Sequence, residues 1–171
     1  MPTIHVCPLS RLDDIVLETR ASHLVTLVKV GTPFTRPVAI AEARHLSLFM
    51  SDIVEPMDGH VLPGPEHVEP FLAFVREWDR TAPMVIHCWA GISRSTAGAF
   101  VAACALAPER DEATIARALR AASPMATPNK RIVAVADALL GREGRMVEAI
   151  AAIGRGEDAY EGVPFTLSLR D

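Results

Sequence analysis

Apolar residues along this chain fall into two kinds of run. Short continuous runs rich in β-branched residues predict strands over 2–9 (PTIHVCPL), 23–30 (HLVTLVKV), 44–50 (RHLSLFM) and 84–88 (MVIHC). Gly31-Thr32-Pro33 closes the second of these. Helical spacing predicts the remaining elements. A short helix covers 10–20, with Ser10 as its N-cap. Another starts at Glu66 and carries Val68, Phe71, Leu72, Val75 and Trp78 on one face. Residues 95–107 are alanine-rich and almost wholly apolar, which predicts a helix sunk in the core. Further helices are predicted over 112–122, 128–140 and 144–153. The 128–140 helix is expected to open on Thr127 as a hydroxyl cap followed by Pro128. The tail from Gly154 reads as loop.

Strands and a helix alternate first, and a run of helices follows. This order predicts an α/β fold, a central mostly parallel sheet flanked by helices on both faces. Residues 51–65 (SDIVEPMDGHVLPGP) hold three prolines and two glycines between a strand and a helix. A connection of that length without its own secondary structure is usually functional or mobile. No internal repeat or low-complexity segment breaks the chain, and its 171 residues are read as one domain.

Composition narrows the function classes. Half the residues are hydrophobic, 22% are charged, and the formal net charge is −4. An acidic chain has no general affinity for nucleic acid or anionic membrane, so neither is expected as a partner. The apolar stretch over 95–108 is too short to span a bilayer, and the N-terminus has no basic start followed by an apolar run. The expected compartment is the cytoplasm. Three scattered cysteines, Cys7, Cys88 and Cys104, form neither a disulfide framework nor a zinc motif. The histidines are equally scattered, and no metal site is expected. Cys7 and Cys104 read as core; a regulatory disulfide from Cys88 to either stays open. His60 and His67 flank the 51–65 loop and read as solvated.

The chemistry concentrates in His87-Cys88-Trp89-Ala90-Gly91-Ile92-Ser93-Arg94-Ser95. Cys88 ends a predicted strand and a long helix begins a few residues later, the place where open α/β sheets bind ligands. A loop there can aim successive N–H groups of Trp89, Ala90, Gly91, Ile92 and Ser93 inward as an anion nest, helped by the positive end of the next helix. Gly91 permits a positive φ in mid-loop. The planar fork of Arg94 matches two phosphate oxygens. Such a field stabilises a thiolate on Cys88 and holds a phosphoryl group for in-line attack, giving a phosphocysteine. Ser95 can donate a hydrogen bond to the sulfur. His87 is expected to orient the loop rather than to transfer protons, and Trp89 to pack its edge.

Residues 87–95 resemble the signature of the protein tyrosine and dual-specificity phosphatase superfamily: His-Cys, five residues, Arg, then Ser or Thr. The resemblance extends over about residues 44–140, and Pro128-Asn129 is similar to the compact dual-specificity branch. It implies a phosphate-binding loop (P-loop) over 87–95 and a general-acid loop over 51–65. It also implies an aspartate that protonates the leaving oxygen and then activates water, with no metal or organic cofactor. Asp52, at the head of the loop, matches that position; Asp58 on the same loop competes with it, because the loop is long and lacks a Trp-Pro-Asp motif. The expected function is hydrolysis of phosphotyrosine or of mixed phosphoprotein substrates, with inhibition by oxyanions such as phosphate or vanadate. The absence of lysine between Cys88 and Arg94 argues against multiply phosphorylated inositides. The alternatives are a catalytically weak module that binds phosphorylated partners and a phosphatase of non-protein substrates.

Overall fold

The computed structural model describes residues 2–170. Five strands form one sheet: β1 (Thr3–Pro8), β2 (His23–Val28), β3 (His45–Phe49), β4 (Met84–Cys88) and β5 (Phe165–Ser168). Their order across the sheet is β3-β2-β4-β1-β5. The first four run parallel, and β5 lies antiparallel on β1 with Val6 opposite Phe165. β2 and β4 are buried along their whole lengths, as central parallel strands covered on both faces must be.

Six helices flank the sheet: α1 (Leu12–Thr19), α2 (Pro65–Glu77), α3 (Arg94–Leu106), α4 (Glu112–Ala122), α5 (Lys130–Leu139) and α6 (Arg145–Ile153). The mostly parallel α/β architecture expected from the pattern is the one observed, but its two layers are unequal. Alternation along β4 sends Val85 to one face, where it packs with Leu12, Ile15 and Val16 of α1. Met84, Ile86 and Cys88 turn to the other face, into a core shared by α2 to α6. α3 is the centre of that layer, buried at every described position except Ala105. No helix among the described residues is long and apolar enough to cross a membrane.

Four local expectations are corrected. The tail from Gly154 is not all loop, because Phe165–Ser168 closes the sheet as β5. Ser10 does not cap α1: it lies in a 3-10 turn, and its hydroxyl donates to Glu161 instead. Thr127 does not cap α5 either. Asn129 does, its Oδ1 accepting from the Ile132 amide at 3.0 Å, and the helix starts at Lys130. His67 is not solvated: it is 9% exposed in the first turn of α2, where its Nδ1 accepts from the Gly64 amide.

Candidate active site

β4 delivers Cys88 to the carboxyl edge of the sheet, and the chain turns directly into α3. The Cys88 thiol is 2% exposed. Two groups meet its sulfur: the Ser95 hydroxyl at 3.0 Å and the Gly91 amide, which donates at 3.2 Å. With the sulfur as thiolate, Ser95 is the donor. Gly91 has φ +71°, and a Cβ there would lie 2.7 Å from the Pro8 nitrogen. Glycine is required at this bend twice over, by its conformation and by its closeness to β1.

The loop is held from outside by its carbonyls. Cys88 O faces His87 Nδ1 at 3.1 Å, and Trp89 O accepts from the Leu9 amide. Ala90 O accepts from Gly162, Ile92 O from Thr127, and Ser93 O from Asn129. The Gly91 amide points the opposite way, onto the sulfur. The N-terminal end of α3 adds partial positive charge beside it.

Arg94 is 8% exposed. Its Nη1 donates to Met50 O at 2.9 Å, while its buried Nε has no hydrogen-bond partner among the described residues. Among the described residues no carboxylate forms an ion pair with it. A buried guanidinium with an unused donor is costly unless an anion meets it.

Asp52 lies beside the loop. Its Oδ1 accepts from Ser93 Oγ at 2.7 Å and from Asn129 Nδ2 at 2.8 Å. Asp58 is exposed and makes no side-chain hydrogen bond among the described residues. The structure thus brings Cys88, Arg94, Ser95, Ser93 and Asp52 together and leaves Asp58 apart on the outer loop.

His87 is fully buried beneath the loop. Burial, with smaller contributions from His45 and Arg94, pushes its pKa down to about 4 against the opposing bond to Cys88 O. A neutral ring that donates from Nδ1 to Cys88 O must accept at Nε2, and Thr26 Oγ1 lies 2.8 Å away. Thr26 Oγ1 then accepts from His45 Nε2 at 2.8 Å. Phe34 packs edge-on against both imidazoles. Trp89 is 42% exposed and meets Tyr160 edge to face, with centroids 5.5 Å apart.

The three cysteines are all free and buried. Cys7 pairs in register with His87, not with Cys88, and belongs to the α1-side core while Cys88 belongs to the other. Burial, and secondarily Cys88, pushes the Cys7 thiol up to about 12. Cys104 lies ten residues beyond Arg94 along α3, about 15 Å of helix. Neither is placed to cross-link to Cys88 without moving the backbone.

Four contributors have no role at the site that the sequence reading assigns. Asn129 joins Asp52, Ile53 O, Ser93 O and the start of α5. Its signal was an Asx residue one position before an apolar helical period. Thr26 and His45 sit within strand runs that only the sheet order brings beneath the loop. The segment around Gly162 carried no local signal.

The protein-tyrosine phosphatase family model matches residues 58–134. No curated relative matches the chain in sequence. Among solved structures, DUSP15 superposes with a TM-score of 0.65 at 17% identity, over 92% of this chain and 96% of its own. Human DUSP28 gives 0.60 at 18% identity, over 81% and 94%. A mouse putative dual specificity phosphatase, complexed with zinc tungstate, gives 0.57 at 19% identity, over 81% and 80%.

Proposed function

Starting from a chain that carries the fold and a matching sequence segment of the protein tyrosine and dual-specificity phosphatase superfamily, we propose that this protein hydrolyses phosphate monoesters, phosphotyrosine or mixed phosphoprotein substrates, through a phosphocysteine on Cys88. In this reading the phosphate dianion sits in the 88–94 loop. The amides of Trp89, Ala90, Gly91, Ile92 and Ser93 and the fork of Arg94 hold its oxygens. Cys88 attacks phosphorus in line, and the P–O bond to the leaving group breaks as the S–P bond forms. Asp52 supplies a proton to the departing oxygen. It then takes one from the water that attacks the phosphocysteine and releases inorganic phosphate. Ser95 stabilises the sulfur as it leaves. Asp52 is preferred to Asp58 because two hydrogen bonds fix it against the loop, at Ser93 and Asn129.

One observation carries the reading: a buried arginine with an unpaired Nε directly precedes Ser95, whose hydroxyl, with the Gly91 amide, holds the Cys88 sulfur. A tetrahedral oxyanion would satisfy that donor. The tungstate of the mouse relative is an oxyanion of that shape. The test is Cys88→Ser. It should abolish turnover of a phosphotyrosine peptide while vanadate and phosphate still bind, because the amides and Arg94 remain. Appreciable turnover by Cys88→Ser would exclude the covalent route. A wild-type protein that binds vanadate but turns over no monoester would be the phosphate-binding module instead.

A further inference from the structure

The segment between α6 and β5 runs along the outside of the 88–94 loop and is bound at successive points. Gly154 O accepts from Arg120 Nη2, the Gly156 amide donates to Thr127 Oγ1, and the Glu157 amide donates to Pro124 O. The Gly162 amide then donates to Ala90 O at 2.7 Å, and the Glu161 carboxylate accepts from Ser10. The approach is close enough that a Cβ on Gly162 would lie 2.7 Å from Gly91 O. This strap fixes Tyr160, the only tyrosine of the chain, against Trp89.

Both rings are exposed, Trp89 at 42% and Tyr160 at 80%, although the Cys88 beside Trp89 is at 2%. Two aromatic rings held together in solvent at the edge of a buried nucleophile are poorly explained by packing alone. In-line attack puts the leaving group on the side of phosphorus away from the sulfur, so it must emerge past the side chains that border the loop. Asp52 borders it at Ser93, and the aromatic pair borders it at Trp89 and Ala90.

We propose that Trp89 and Tyr160 form an aromatic wall that receives the phenyl ring of phosphotyrosine and selects it over phosphothreonine. Trp89 supplies the contact surface and Tyr160, positioned by the strap, holds the indole in place. The wall deepens the site from the side of the strap. The inference rests on the reading of residues 88–94 as the phosphate site.

The test compares two peptides of identical flanks, one with phosphotyrosine and one with phosphothreonine. Their affinities are measured on the Cys88→Ser protein, alone and combined with Trp89→Leu or Tyr160→Ala. Loss of one aromatic partner should weaken phosphotyrosine binding by about 3- to 10-fold. Phosphothreonine binding should change less than two-fold, and inorganic phosphate should bind the Tyr160→Ala variant as before. Tyr160→Phe, which keeps the ring, should retain the preference. In the catalytically intact protein the same changes should raise KM for the phosphotyrosine peptide more than they lower kcat. Equal losses for both peptides would reduce the pair to a support of the loop, and no loss for either would remove it from the site. Because binding is read without turnover, absence of hydrolysis in the wild type would overturn the phosphatase reading and still leave the wall open to refutation by these affinities.

Discussion

Arg94 and Asp52 show how much one side chain's geometry, as distinct from its charge, can be asked to do. Arg94 spends one nitrogen on Met50 O and keeps Nε unpaired and buried. Lysine in its place would keep a positive charge but lose the planar fork. Arg94→Lys should therefore cut kcat/KM by about 10²-fold or more, on the scale of losing one fixed donor to an oxyanion. Near-normal kinetics would mean that only charge matters there. Asp52 and Asp58 can be told apart by leaving groups. A positioned acid is worth about 10²–10⁴-fold, most of it when the departing oxygen is strongly basic. Asp52→Asn should slow a phosphothreonine or phosphotyrosine peptide within that range and an activated aryl phosphate much less, and the basic limb of its pH–rate profile should flatten. Asp58→Asn should do neither. The reverse pattern would transfer the role to Asp58.

At the scale of elements, the site is a loop gripped by its neighbours. The 87–95 signature was legible because its chemistry is contiguous: strand end, glycine bend, arginine and helix start follow one another in sequence. The partners of that loop were not, because they come from distant segments. Thr26 and His45 reach His87 only through the order β3-β2-β4. β5 is hard to read from sequence although Phe165, Leu167 and Leu169 alternate with Thr166, Ser168 and Arg170, because the alternation is only a few residues long and follows a glycine- and charge-rich stretch that reads as loop. The start of α5 was misplaced by one competing cap. Thr127 followed by Pro128 has the right chemistry, but the Thr127 amide and hydroxyl are engaged by Ile92 O, Met125 O and Gly156, and Asn129 takes the cap. Asn129→Ala should thus lose about 1 kcal/mol of stability through the cap. It should also lower kcat on a poor leaving group, because Asp52 is then held by Ser93 alone. Unchanged kcat in a protein that melts earlier would confine Asn129 to the helix. Gly91→Ala tests the bend itself. A left-handed φ and a Cβ against Pro8 should cost more than about 2 kcal/mol and most of the activity. Chemical denaturation alongside the assay would expose a tolerant loop.

For the molecule as a whole, the tension lies in placing a loop proposed to bind an anion on a chain of net charge −4. The positive field is made locally, by Arg94, the loop amides and the end of α3, and the layer beneath it is kept neutral. His87 is central to that neutrality. It lies under Cys88, faces Thr26 and His45 across the sheet, has Arg94 nearby, and is fully buried. In the unfolded chain it takes up a proton near its ordinary value of 6.5, whereas in the folded protein burial delays protonation to about 4. The unfolded state therefore binds the proton first. This contribution is intact above pH 6.5 and is lost as pH falls towards 4, reaching on the order of 3 kcal/mol. His5, His23 and His45 are displaced in the same direction by burial and add to the acid-side loss. His87→Gln keeps one donor and one acceptor for Cys88 O and Thr26 but cannot take up the proton. Unfolding free energies measured by urea at pH 7 and at pH 4.5 should therefore differ by less in His87→Gln than in the wild type, even if the variant is less stable at both. An undiminished difference would show that His87 is not the group whose protonation opens the fold.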